Sequence, residues 1–123
     1  MLINFSNHPS ARWCAQQRRA ARRYGDVADL AFPAIDPADD EAALDALAAE
    51  YTDRILRLAP DAVLCQGEST FVYRMVRRLE AQGVPVLAAC SRREVQEIPR
   101  PDGSTLRQSM FVFAGFRRYV TPP

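Results

Sequence analysis

The chain has 123 residues, 48% hydrophobic and 25% charged, with a formal net charge of +1. That length is expected to form one domain over residues 1–123, and the near balance of charge argues against a chain built as a whole to bind duplex nucleic acid. No apolar run approaches the roughly 20 residues that cross a bilayer, and residues 1–20 show no basic-then-apolar leader pattern. A cytoplasmic protein without a membrane partner is therefore expected.

All sixteen basic residues are arginine. This reads first as codon composition and second as a choice for bidentate phosphate contact. The three cysteines, Cys14, Cys65 and Cys90, have no CxxC spacing. Two of them lie in apolar strand-like contexts, VLCQ and LAACS, and read as reduced structural thiols.

In chain order, Leu2 to Phe5 reads as a short buried strand. Residues from about Arg12 to Tyr24 read as a helix with Ser10 as N-cap. Trp13, Ala20, Ala21 and Tyr24 fall on one face and five arginines on the other, and Gly25 stops it. Val27 to Phe32 reads as a second strand. The loop PAIDPADD follows, then a helix from about Glu41 to Leu58, capped by Asp39 or Asp40, with Leu44, Leu47, Tyr51, Ile55 and Leu58 at helical period. Asp61 to Gln66 reads as a third strand. A third helix follows to about Gln82 and ends at Gly83. Val84 to Cys90 reads as a fourth strand ending in Ser91-Arg92-Arg93. After it, Val95–Ile98 and Leu106–Phe116 around Asp102-Gly103 read as an antiparallel hairpin.

This alternation predicts an α/β fold: a Rossmann-like, mostly parallel sheet flanked by helices, with the terminal hairpin at an edge or in a separate lobe. Ligands of such sheets bind outside the carboxyl ends of the strands. Three polar clusters fall at those expected ends: Ser6-Asn7-His8-Pro9-Ser10, Gln66-Gly67-Glu68-Ser69-Thr70, and Ser91-Arg92-Arg93. Each suits a phosphate or ribose. Ser10, Ser69 and Thr70 lie at expected helix N-termini, which favour anions. Gly67 permits close backbone approach. Arg92 and Arg93 offer guanidinium groups, and His8, the single histidine, offers acid–base chemistry near neutral pH. Each also has a plainer reading: the hydroxyls as caps, Glu68 as a first-turn carboxylate, His8 as a loop residue, and the arginines as solvated surface.

Ligand spacing for a metal is absent, and no cofactor is expected. There is no Walker A motif and no GxGxxG. QGESTF lacks the second glycine of a nucleophile elbow.

INFSNHPS after the first strand, DAVLCQGESTFVYRMVRRL around the third, PVLAACSRREV around the fourth and the terminal FVFAGFRRY together resemble the minimal CARF-like ring nucleases of type III CRISPR systems. The resemblance covers most of the chain. It implies a homodimer that binds a cyclic oligoadenylate, cyclic tetra-adenylate first among the ring sizes. It further implies cleavage without a metal by attack of a ribose 2′-hydroxyl, leaving a 2′,3′-cyclic phosphate. Carried onto this chain, it implies catalytic roles for His8, Glu68 and Arg92. Ser6, Asn7, Ser10, Gln66, Gly67, Ser69, Thr70, Ser91 and Arg93 would hold the ring. The family uses lysine or arginine at the phosphate; lysine is absent here, so arginine carries that role. The same residues would equally serve a sensor or sponge that binds without cutting. A nucleoside deoxyribosyltransferase-like hydrolase with Glu68 as nucleophile and a purely structural subunit are the further alternatives.

Overall fold

The computed structural model describes residues 1–123. Strand β1 (Leu2–Ser6) is buried at every position. It lies between two parallel neighbours, β2 (Val27–Ala31) and β3 (Ala62–Cys65). Its side chains alternate between the two faces of the sheet, as strand geometry demands. Ile3 and Phe5 enter a large core with Val63 and Cys65, under helices α2 (Glu41–Arg57) and α3 (Ser69–Ala81). Leu2 enters a smaller core with Leu64 and Leu87, closed by Trp13 and by Ala21 at the end of helix α1 (Ala15–Ala21). Each fully buried side chain of this size contributes about 1.5–3 kcal/mol.

The remaining strands are β4 (Val86–Pro99) and β5 (Thr105–Arg118). The five strands form one sheet in the order β2-β1-β3-β4-β5, with only the β4–β5 pair antiparallel. The expected α/β architecture, with its helices on both faces and the hairpin at one edge, is what the molecule has. From β1 the chain crosses by α1 to β2 on one side; from β3 it crosses by α3 to β4 on the other. The connections thus diverge between the carboxyl ends of β1 and β3, the topological switch point where such sheets open a crevice.

Two elements differ from expectation. The first helix is broken: a 3-10 turn spans Ser10–Arg12, Trp13 is extended, and α1 begins only at Ala15. Its N-cap is Cys14, whose Sγ accepts from the Gln17 N–H at 3.5 Å, not Ser10. The cause is tertiary. Asp29 of β2 takes both the backbone N–H and the hydroxyl of Ser10, while the Trp13 ring is drawn beneath the sheet into the smaller core.

The fourth strand does not stop at Cys90 either. It runs on to Pro99, so Ser91, Arg92 and Arg93 lie inside a strand and not in a loop at its end. β4 meets β3 only at Val86 and Leu87. Beyond that it pairs with β5 alone, and every residue from 91 to 111 is exposed. The pair forms a two-stranded arm that leaves the body at the carboxyl end of the sheet. Its turn is closed by the Gly103 N–H to the Arg100 carbonyl at 3.0 Å, with Gly103 at φ 85°. A register shift between Cys90 and Ser91 pairs Cys90 with Gly115 and Ser91 with Phe113, leaving Ala114 as the extra residue of a bulge. Without it Phe113 and Phe116, three apart, would face opposite sides. With it their rings meet at 5.2 Å, and Phe116 reaches Trp13 at 6.4 Å.

No helix is long and apolar enough to cross a membrane.

Candidate functional site

At the switch point lies a cleft of about 480 Å³, lined by Ser6, Asn7, His8, Gln66, Gly67 and Ser91 together with Trp13, Gln17 and Phe111. Six residues chosen from the sequence therefore converge, drawn from all three polar clusters. Their supports differ.

The first wall is held by a hydrogen-bonded network beneath it. Asn4 is 1% exposed in the middle of β1. Its Nδ2 donates to the His8 carbonyl at 2.8 Å and to Asp29 Oδ1 at 2.9 Å. Its Oδ1 accepts from the buried Ser6 hydroxyl at 2.7 Å. Ser6 Oγ in turn accepts from the His8 N–H at 3.2 Å. Both backbone groups of His8 are thus tethered, while its exposed imidazole makes no protein hydrogen bond and is presented at the cleft. Every polar atom of this buried set is partnered, as burial requires. Ser6 serves as scaffold as well as wall. Ser10 is engaged by Asp29 at 3.0 Å and lies outside the cleft.

The second wall follows β3. Gln66 continues the strand with its side chain: its Nε2 donates to the Ala89 carbonyl at 3.3 Å and its Oε1 accepts from the Ala89 N–H at 3.2 Å. The carboxamide thus imitates a strand residue at the point where β4 leaves its last backbone partner on β3. Gly67 is glycine for a packing reason. A Cβ there would lie 2.5 Å from the Phe32 ring, itself wedged against Phe5 and Phe71.

Glu68, Ser69 and Thr70 do not line this cleft. Glu68 is the N-cap of α3, accepting from the Thr70 hydroxyl and from the backbone N–H groups of Thr70 and Phe71. The Thr70 hydroxyl first, then those two N–H groups, hold its carboxyl below the usual glutamate value of 4.5. A carboxylate so held is a poor proton donor. Ser69 borders an adjoining apolar groove with Val72, Tyr73, Val76 and Tyr119, which shares Gln66 and Gly67 with the cleft.

The third wall is the base of the arm. Side chains of β4 alternate, so Ser91 and Arg93 share one face of the ribbon and Arg92 lies on the other, opposite Val112. Arg92 is therefore turned away from the cleft. Arg93 sits one step outward of Ser91, directly across from Phe111, with its guanidinium donating to Ser109 Oγ at 3.0 and 3.3 Å.

Five residues of the site were not proposed for it from the sequence: Asn4, Asp29, Trp13, Gln17 and Phe111. Asn4 and Asp29 carried a signal, each a polar residue set among apolar neighbours in a strand. Phe111 carried none, because its place depends on the arm's register.

His8 is the one lining residue with an acid–base side chain. The thiols stand elsewhere. Burial pushes Cys65 up to about 12, which keeps it protonated, and Cys14 is exposed at the N-cap of α1. No group of three or more His, Cys, Asp or Glu is gathered as metal ligands. A larger hollow of about 580 Å³ lies along the outer face of α3, where Arg74 is paired with Asp45 at 2.8 Å. None of the three polar clusters lines it, and its basic lining is partly neutralised.

Fold and cleft define an α/β protein with a polar crevice at the switch point of a mostly parallel sheet. The chain belongs to the uncharacterized MJ1673 protein family, which it matches over residues 1–117. No curated protein and no solved structure matches it.

Proposed function

We infer that the protein is a ring nuclease of CRISPR type III signalling, opening a cyclic oligoadenylate in the cleft between β1, β3 and the arm. The observation that supports this most is the company His8 keeps: an imidazole without a protein hydrogen bond, on a doubly tethered backbone, in a cleft shared with small polar groups and an exposed aromatic ring.

In the reaction, a ribose 2′-oxygen attacks the adjacent phosphorus. The P–O2′ bond forms as the P–O5′ bond breaks. The 2′-hydroxyl gives up its proton and the departing 5′-oxygen gains one, so no water is consumed and the linear product ends in a 2′,3′-cyclic phosphate. His8 takes or supplies one of those protons, Ser91, Asn7 and Gly67 border the ribose and phosphate, and Arg93, on the Ser91 face of the ribbon, offers its charge to the phosphate. Holding the 2′-oxygen in line is the larger part of the task. Arg92 and Glu68, turned away or engaged in capping, are left without a part in this chemistry.

A cleft of about 480 Å³ accommodates a nucleotide or so, not a ring of four. A homodimer supplies the rest by doubling the site about a two-fold axis. The arm favours a partner copy. A two-stranded ribbon alone is marginal in water, yet this one carries Val95, Ile98, Leu106 and Met110, all exposed.

Incubating the protein with cyclic tri-, tetra- and hexa-adenylate in EDTA and resolving the products by chromatography tests the proposal. One ring is expected to open, and His8→Ala to slow that opening by about a hundred- to ten-thousandfold while the ring still binds. Rings bound but intact would favour the second reading, a sensor or sponge, which the scarcity of titratable groups in the cleft also supports. Rings that do not bind at all would overturn both.

A further inference from the structure

Phe111 is 76% exposed, the largest exposure among the large apolar side chains, yet it lines the cleft and stands on an otherwise ordered strip. Trp13 packs edge-on against Phe116 at 6.4 Å, and Phe116 against Phe113 at 5.2 Å. The Ala114 bulge puts Phe113 and Phe116 on one side of the ribbon, and strand alternation puts Phe111 on that same side. The aromatic contacts end at Phe113; Phe111 extends the row into the open. Across the strand from it stands Arg93, its guanidinium fixed by Ser109.

We propose that Phe111 and Arg93 form a nucleobase platform, on which one base of the bound ligand stacks while its phosphate and ribose occupy the cleft. A flat, exposed ring with only two side-chain torsions loses little freedom when a base covers it, and every base has a face to offer. Arg93, across the strand, adds cation–π attraction to the base or charge to its phosphate. Within the chain no aromatic ring covers Phe111. The assignment rests on the ring-nuclease reading for the identity of the base, adenine, and on the geometry alone for the stacking.

The test uses two probes: the adenylate ring that the protein binds, and adenosine monophosphate followed by saturation-transfer NMR. Phe111→Ala is expected to weaken ring binding roughly tenfold or more, the loss typical of one stacked base, and to abolish transfer to the adenine protons. Phe111→Trp is expected to preserve both. Phe111→Leu, apolar but without a π-face, is expected to behave like Phe111→Ala. Circular dichroism and sedimentation of each variant exclude loss of fold or assembly. If Phe111→Ala or Phe111→Leu binds like the wild type, or if the loss in either follows a change in sedimenting mass, the platform is overturned. If no ring binds but adenosine monophosphate stacks in a Phe111-dependent manner, the platform stands and the ring-nuclease reading falls. If neither probe contacts the wild-type protein, both fall.

Discussion

At the scale of single residues, the site separates groups that present from groups that support. His8 is held by its backbone and free at its side chain, whereas Glu68 is held by its side chain and has nothing left to offer. The hydrogen bonds that lower the Glu68 pKa make a stability prediction with a definite sign. A carboxylate favoured in the folded state stabilises above its ordinary value of 4.5, and that contribution is lost as pH falls through the lower folded-state value. Thermal unfolding of the wild type and Glu68→Ala should therefore differ at neutral pH, with the wild type melting higher. The gap should close as pH falls below 4.5. An unchanging gap would mean that the cap acts through packing and not charge. The sequence marked Glu68 and His8 alike as polar residues at strand ends. What separates them is which atoms the local backbone claims, and that follows from where each helix begins. α3 begins at Ser69 and takes Glu68 as its cap, where the sequence offered the Ser69 and Thr70 hydroxyls. α1 starts late because Asp29 has captured Ser10.

Among the elements, Gln66 joins the body to the arm. Its carboxamide occupies both backbone groups of Ala89 just before β4 runs out beside β5 alone. Gln66→Ala removes two hydrogen bonds and is expected to cost about 1–2 kcal/mol, read as a shift in the urea midpoint. Hydrogen exchange should localise the loss to the amides of Ala89 and its neighbours at the base of the arm. Exchange that rises instead in α2 or β1 would contradict that role. The parallel core was legible because Leu2–Phe5, Val27–Phe32 and Ala62–Cys65 are short apolar runs separated by helical periods. The arm was not. Ser91-Arg92-Arg93 reads as the end of a buried strand, because a strand without covering layers needs no apolar side chains. Its continuation rests on pairing with β5. The bulge that aligns Phe113 with Phe116 is likewise a matter of register, which local sequence leaves open.

For the whole molecule, the order β2-β1-β3-β4-β5 explains how residues some sixty positions apart in sequence, His8 and Gly67, come to share one cleft. It also explains why the arm borders that cleft: β4 leaves the sheet at the same carboxyl edge. The measurement that tests the central claim most directly is the mass of the products formed from cyclic tetra-adenylate in EDTA and ¹⁸O-water. Attack by the ribose 2′-hydroxyl predicts ring-opened material of the same mass as the ring, or halves of it, ending in a cyclic phosphate and free of ¹⁸O. An intact ring, or products that carry ¹⁸O from the first turnover, would contradict it.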